Sequence, residues 1–565
     1  MPALSASGFL IGALVYAAGL STDAAAAEVP PSVAPGAIER GLQPTTPEEK
    51  AAPVGLPAPP ATNPPSDADQ IRFTLGEVTI DGATAVPADR IRATYAALIG
   101  QTITLADLYE VANAITKLYV DAGYGLSFAL VPAQQIDASG RVTIAVVEGY
   151  VDQITVEGDA PSAEALVREY GAPITAARPL RSADLERLLL LANDLPGFTV
   201  KSVFEPIPGA PRGATRLVMR VATVPVEASL EIDNRGSKAL GRWRADAEFS
   251  IDSLLGLGDQ LTLRGLQSLD GRGLTYGAAN WSIPVDRDGT TLTLSVSNSS
   301  SAPVTPQLEA VDFTGTGWIA SAEVEHALVR TREDSLWLSV TATGKWLDSD
   351  ILSTPNSRDR IYALDSAATY LGHDDGGTTN AVLRLTKGLD LFDATTSSSP
   401  LRSRASGSGD YLSVQATLGR LQELGGPFQL QLGAAGQVAS RGLLSSEQCG
   451  YGGSAFGRGF DDYEIAGDHC LMGSAELRYT PDGTALPGVG LQFYGFADAG
   501  EVWQAGALLP GEERSETGRS IGLGLRLTLP AGFSSTLEFA QPLGRNVAQD
   551  DNRHGRLFFS IKKSF

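Results

Sequence analysis

The C-terminal three-fifths of this 565-residue chain is written in a period of two. Leu292, Leu294 and Val296 alternate with Thr291, Thr293, Ser295 and Ser297. Leu336, Leu338, Val340 and Ala342 alternate with Trp337, Ser339, Thr341 and Thr343. Ile521, Leu523, Leu525, Leu527 and Leu529 alternate with Gly522, Gly524, Arg526 and Thr528. Each such segment is a strand with one greasy face and one polar, small or charged face. A soluble sandwich alternates over shorter strands. These run about ten residues, the length that tilted membrane strands need. Candidate strands start near residues 226, 242, 258, 273, 290, 311, 334, 359, 377, 410, 427, 470, 488, 517, 533 and 556, sixteen in all. An even number suits a closed antiparallel barrel, with roughly 21 residues for each strand and connection. Residues 225–565 are therefore expected as a 16-stranded antiparallel transmembrane β-barrel, closed because lipid offers no partner to an open edge.

Composition removes other classes. There are 43 Lys+Arg against 65 Asp+Glu, a net charge of −22, which argues against a nucleic-acid partner. Cys449 and Cys470 are the two cysteines, too few for zinc ribbons, iron–sulfur clusters or a disulfide scaffold. His326, His373, His469 and His554 lie far apart, so no metal motif exists. No GxSxG elbow and no phosphate-binding loop occurs, and neither an enzyme nor a cofactor is expected. No segment holds ~18 consecutive apolar residues, which excludes membrane-spanning helices. Residues 8–20 are a shorter apolar run, and AAAA precedes Glu28, so residues 1–27 read as a signal peptide, although no Lys or Arg precedes the run. Residues 28–69 are a Pro/Ala-rich linker with at most one short helix, near 36–42.

Between linker and barrel the pattern repeats. Residues 73–81 are strand-like, 88–98 and 105–122 have helical spacing, and 126–131 and 141–147 read as a hairpin. Leu105, Leu108, Ala112, Ile115 and Tyr119 share one helix face, and Gly123 closes it. From residue 151 the order recurs: VDQITVEGD echoes GEVTIDGAT, then come two helices and two strands. The chain thus holds two β-α-α-β-β modules, 70–150 and 151–223.

This repeat resembles POTRA domains, the periplasmic modules of polypeptide-transport proteins. The phrases IGQTITLADLYEVANAITKLYVDAGYGLSFALVPAQ and RVTIAVVEGYVDQITVEG are similar to the first POTRA of two-partner secretion transporters, the haemolysin-activator and filamentous-haemagglutinin exporters. Residues 233–263 resemble that family's first barrel hairpin, with Asp233, Asn234 and Arg235 as structural candidates. The ending RLFFSIKKSF resembles the last strand that outer-membrane barrels present to their assembly machinery. A three-stranded sheet covered by two helices leaves an edge to which an extended chain can add. The edge expected here runs through Leu126, Phe128 and Leu130. A rigid spacer is the bland alternative.

The longest connection, 440–469, carries Gly457-Arg458-Gly459-Phe460, which resembles the family's inward loop tip except that Gly457 replaces an aliphatic residue. Phe496, Asp498 and Gly500 resemble its Phe-x-Asp-x-Gly wall motif. Alternation independently sends Tyr494, Phe496 and Asp498 to the lumen and Val489, Leu491, Phe493 and Ala497 to lipid. Arg458 can then reach Asp498, and a wet lumen would screen that pair to ~0–1 kcal/mol. The bland alternative is a surface arginine and a solvated carboxylate. Cys449 and Cys470 bracket the motif and are either a disulfide, plausible in an oxidising compartment, or free thiols.

The resemblance implies a bacterial outer-membrane transporter, monomeric, with periplasmic POTRA modules that bind the N-terminal secretion domain of an unfolded partner protein. The barrel passes that partner outward, and the loop at 440–469 and a plug helix near 36–42 gate the lumen. An assembly factor that inserts barrels is the near alternative. A passive porin or barrel enzyme is the distant one.

Overall fold

The computed structural model describes residues 33–42, 62–158, 161–483, 488–508 and 512–565. The expected signal peptide at 1–27 and linker residues 28–32 and 43–61 lie outside them.

In the first module, Glu77–Asp81 runs parallel to Arg141–Val147, which pairs antiparallel with Phe128–Leu130. Helix Leu105–Asp121 starts in a capping box between Thr104 and Asp107 and buries Leu108, Ala112, Ile115 and Tyr119. Gly123 takes φ +86°, the conformation that closes a helix. A second small pair, Arg72–Thr74 with Thr102–Thr104, was not signalled by the alternation because each strand is three residues long. The second module repeats the plan with Tyr150–Gly158, helices Pro161–Gly171 and Ser182–Asn193, and strands Phe198–Pro206 and Ala214–Thr223. Glu148 stands at the joint. Its carboxylate accepts from the N–H groups of Thr84 at 2.6 Å and Ala85 at 2.7 Å, and from the Tyr119 hydroxyl at 2.8 Å. Burial raises its pKa, but these donors outweigh burial and hold the carboxyl below its ordinary value.

The second module is bolted to one end of the barrel. Arg330 makes a two-pronged contact to Asp194, at 2.7 and 2.8 Å. Arg187 donates to the Ala327 carbonyl, and Leu191 packs with Ala327 in the module's core. The charged groups fix orientation and the apolar patch excludes water.

The barrel closes with sixteen strands in sequential order, Val226–Asp233 pairing with the last, Arg556–Ser564. Every strand starts within five residues of the position read from the alternation. The outer wall is greasy: Leu294, Val340, Leu383, Leu418, Leu471 and Leu523 are 40–64 % exposed. No helix among the described residues is long and apolar enough to cross a membrane. Strand lengths are uneven, from eight residues in Val226–Asp233 to 21 in Thr354–Asp374.

The seam between first and last strands is the shortest ladder in the wall, five residue pairs from Ser560–Asp233 to Ser564–Ser229. Above it the first strand has ended and Asn234 stands in. Its backbone N–H donates to the Phe559 carbonyl at 3.2 Å. Its side-chain Oδ1 accepts from the Phe559 N–H at 2.7 Å, and its Nδ2 donates to the Leu557 carbonyl at 3.0 Å. A carboxamide carries the same donor and acceptor as a peptide group, so it extends the ladder by one rung. Asn234→Leu should leave two seam groups unpaired, a cost of about 2–5 kcal/mol. The midpoint of heat-induced barrel unfolding in detergent gels should fall by several degrees. An unchanged midpoint would remove the role given to Asn234.

Candidate functional site

The connection between strands Phe428–Ala439 and His469–Tyr479 does not project outward; it folds into the lumen. Its stem is a short hairpin of Cys449–Tyr451 with Ile465–Gly467, and a disulfide joins Cys449 to Cys470 with Cα atoms 6.3 Å apart. At the stem's base Asp468, fully buried, accepts from Arg404 Nη1 and from the N–H groups of Leu443 and Ala505, at 2.7–2.8 Å.

The tip carries Arg458 to the wall. Its Nη2 and Nε donate to the two oxygens of Asp498 at 2.8 and 3.1 Å, and its own backbone N–H reaches Asp498 Oδ2 at 3.0 Å. Asp498 lies on strand Gly490–Trp503 opposite Ser474 on one neighbour and Ser520 on the other. Both hydroxyls donate to it, at 2.8 and 3.2 Å. Five donors therefore converge on one carboxylate. The other side of the guanidinium is met by Glu476, which also binds Arg478 and Arg526 at 2.8 Å each.

The expectation of a screened pair is corrected by this geometry. Arg458 is 6 % and Asp498 3 % exposed, because the folded loop displaces the water that would have screened them. Removing one partner of such a pair costs about 3–5 kcal/mol. Burial works against the Arg458 charge, yet Asp498 and Glu476 raise its pKa above the ordinary value.

The flanking motif residues have separate tasks. The Arg458 guanidinium sits 3.5 Å from the centre of the Phe496 ring, a cation–π stack. Gly500 and its cross-strand partner Gly518 leave room for the Tyr451 ring, which a Cβ at either would strike at 2.2–2.3 Å. Gly457 has φ +90°, and a Cβ there would lie 2.7 Å from that same ring. This is the physical reason for glycine where the resemblance implied an aliphatic residue. Gly459 lets the tip approach Ser520 and Pro542, and Phe460 is buried 5.9 Å from Tyr451. Beyond the motif, Asp461 pairs with Arg556 on the last strand.

A second element shares the lumen. Helix Pro35–Gly41 opens with proline at its first position. Val33 and Ile38 pack with Ala239, Leu240, Leu266, Leu274, Leu308 and Phe313. Gly36 lies against the loop base, where a Cβ would be 2.1 Å from that of Ser446. Arg40 donates to Glu447 at 3.1 Å and to the Gln448 carbonyl at 2.9 Å. Glu447 also holds Lys345 at 2.7 Å and Tyr411 at 2.6 Å. Burial opposes its ionisation, but Lys345, then Arg40, hold its pKa well below the ordinary range.

Of the sequence-derived residues, Gly457, Arg458, Gly459, Phe460, Phe496, Asp498 and Gly500 come together at one place. Leu126, Phe128 and Leu130 do not form the open edge expected. The strand is only Phe128–Leu130, Leu126 precedes it, and the groups of Ala129 are taken by Thr116 and Thr62. Sequence reasoning missed Glu476, Ser474, Ser520 and Tyr451. Glu476 was within reach, since Ser474, Glu476 and Arg478 alternate with Gly473, Ala475 and Leu477 as an inward polar file.

Comparison with known proteins accords with this architecture. Residues 73–149 match the ShlB-type POTRA domain. The haem/hemopexin transporter protein HuxB of Haemophilus influenzae is 24 % identical over 550 residues, 94 % of each chain. The haemolysin transporter protein ShlB of Serratia marcescens is 28 % identical over 207 residues, 36 % of this chain and 35 % of that one. The solved structure of CdiB from Escherichia coli superposes with a TM-score of 0.71 at 21 % identity, covering 94 % of this chain and 95 % of that one. Residues 213–526, more than half of the sequence, match the family of haemolysin secretion/activation proteins ShlB/FhaC/HecB, and the chain belongs to that family.

Proposed function

We propose that this outer-membrane transporter exports a large unfolded partner protein from the periplasm to the cell surface, the two-partner mode of secretion. The POTRA modules take the N-terminal secretion domain of the partner, and the barrel conducts the chain. The observation that carries this reading is a lumen filled by two elements, the Pro35–Gly41 helix and the 440–468 loop, the first tied by Arg40 to Glu447 at the base of the second. A passive porin would have no use for removable contents.

The two anchors differ in strength. The helix has seven residues, too few to be stable alone in water, and its charged tie is Arg40 to Glu447. When it leaves, Glu447 keeps Lys345 and Tyr411, so no buried charge is stranded. The loop tip cannot leave without separating Arg458 from Asp498 and Glu476. The helix is thus the readily displaced stopper, and the arginine tip sets the position of the loop. We assign the chain no reaction of its own. The periplasm lacks ATP and the sequence lacks a phosphate loop, so folding of the cargo outside would make backsliding costly. The outer-membrane barrel-assembly machinery would insert this barrel during biogenesis.

Deleting the transporter should remove one large protein from the culture medium while its periplasmic or degraded form remains. An unchanged set of secreted proteins would refute the transport reading. Arg458→Ala should reduce secretion at least tenfold with the barrel still present in the membrane, and wild-type secretion would refute the positioning role of the tip. Arg40→Ala should raise the open fraction of single channels in planar bilayers several-fold; identical traces would mean that Glu447 does not retain the helix.

A further inference from the structure

Apolar side chains stay exposed past the point where the barrel ladder ends. Strands Arg244–Asp252 and Gln260–Ser268 finish on the pair Asp252 with Gln260, and residues 253–259 join them on the side of the second module. The outward rows of the wall there are Ala228, Phe249, Leu263 and Ala279, then Val226, Ile251, Leu261 and Trp281. They alternate with inward residues such as the ion pair of Asp246 with Arg264. The turn carries the apolar surface one level further. Leu254, Leu255 and Leu257 are 52, 56 and 48 % exposed, more than Leu263 at 43 % in the wall beside them. Exposed apolar residues recur at the next two turns of the same rim, as Val285 and Leu328. Farther round that rim the turn between Thr354–Asp374 and Gly377–Leu389 carries the acids Asp374 and Asp375 instead.

The turn is built to hold this shape. Asp259 is fully buried, and its carboxylate accepts from the Leu255 N–H at 3.0 Å and from the Trp281 indole N–H at 3.1 Å. Its backbone carbonyl takes the Ser253 N–H, and Ser253 and Gly256 adopt φ of +53° and +73° to bend the chain back. Folding the leucines under the turn would break these bonds and strand the carboxylate. The other side of the turn meets the second module. Gly258 has φ +74°, and a Cβ there would lie 2.9 Å from both Leu166 and Leu195.

Trp281 marks the level. Its ring stands in the lipid-facing row, while its N–H is directed to Asp259 at the ladder's end. A ring in hydrocarbon with its polar N–H toward the boundary is how tryptophan sits at a membrane interface. We propose that the turn at 253–259 is a foot in the periplasmic leaflet of the outer membrane, with Leu254, Leu255 and Leu257 among the acyl chains of its phospholipids. The occupant is lipid because the leucines continue, without a break, a wall that already faces lipid. A cargo chain entering the lumen would meet the inward row of Asp246, Glu248 and Ser250 instead. Since Gly258 bears on Leu166 and Leu195, this membrane contact lies directly beside the second module.

The test uses the full transporter in nanodiscs of phosphatidylethanolamine and phosphatidylglycerol, which leave both faces open to solvent. Both native cysteines are paired, so Leu255→Cys, Leu263→Cys and Asp375→Cys each accept one fluorophore. Lipids bearing a nitroxide on the acyl chain near the headgroup should quench the label at 255 to within about twofold of that at 263, and about fivefold more than that at 375. Aqueous iodide should quench in the reverse order. Leu257→Cys, a second site on the turn, should repeat the result at 255. Labels at 255 and 257 that behave like the one at 375 would overturn the proposal. Iodide access at 255 that is lost only on adding the urea-unfolded N-terminal region of the exported protein would overturn it too, and would give the surface to cargo. Shielding at 255 that appears only with two transporters in one disc would overturn it in favour of a second copy of the chain.

Discussion

A peptide group facing hydrocarbon has no water to bond, and the whole molecule is arranged around that fact. The sixteen-strand wall satisfies its ladder by closing on itself, and where the first strand runs out, one carboxamide from Asn234 supplies the missing rung. Closure of so many strands creates a wide hollow. The charged inner face then needs partners, and the loop and the helix provide them.

Those partners are graded. Asp498 is the more heavily committed carboxylate, with five donors from the tip and the neighbouring strands. Glu447 is shared between the Pro35–Gly41 helix, the wall lysine Lys345 and Tyr411. The difference lies in what remains after one element departs: a stranded ion in the first case, a satisfied one in the second. Sequence placement serves the same end, since the helix is near the N-terminus on a linker while the tip is held at both ends by barrel strands.

Most of this was readable before any coordinates. The barrel strands announced themselves because a wall facing lipid on one side and water on the other must alternate, as Ile521–Leu529 does. The modules declared themselves by repeating. What alternation does not encode is cross-strand registry. That Ser474, Asp498 and Ser520 form one row depends on how three strands slide past each other, and it became visible only in the pairing. Burial was misjudged for a related reason: the dryness around Arg458 comes from Tyr451, Phe460 and Phe496, residues distant in sequence that meet only when the loop folds in. The Leu126–Leu130 edge failed on a contact from the linker, where Pro/Ala-rich composition predicts no partner at all.

The bridge between Cys449 and Cys470 has a mechanical meaning. It converts the hairpin that bears Arg458 from an open thread into a closed ring, with one link fastened to the staves of the cylinder. Such a ring holds its outline as one piece, because a covalent link rather than hydrogen bonds alone keeps its two legs together.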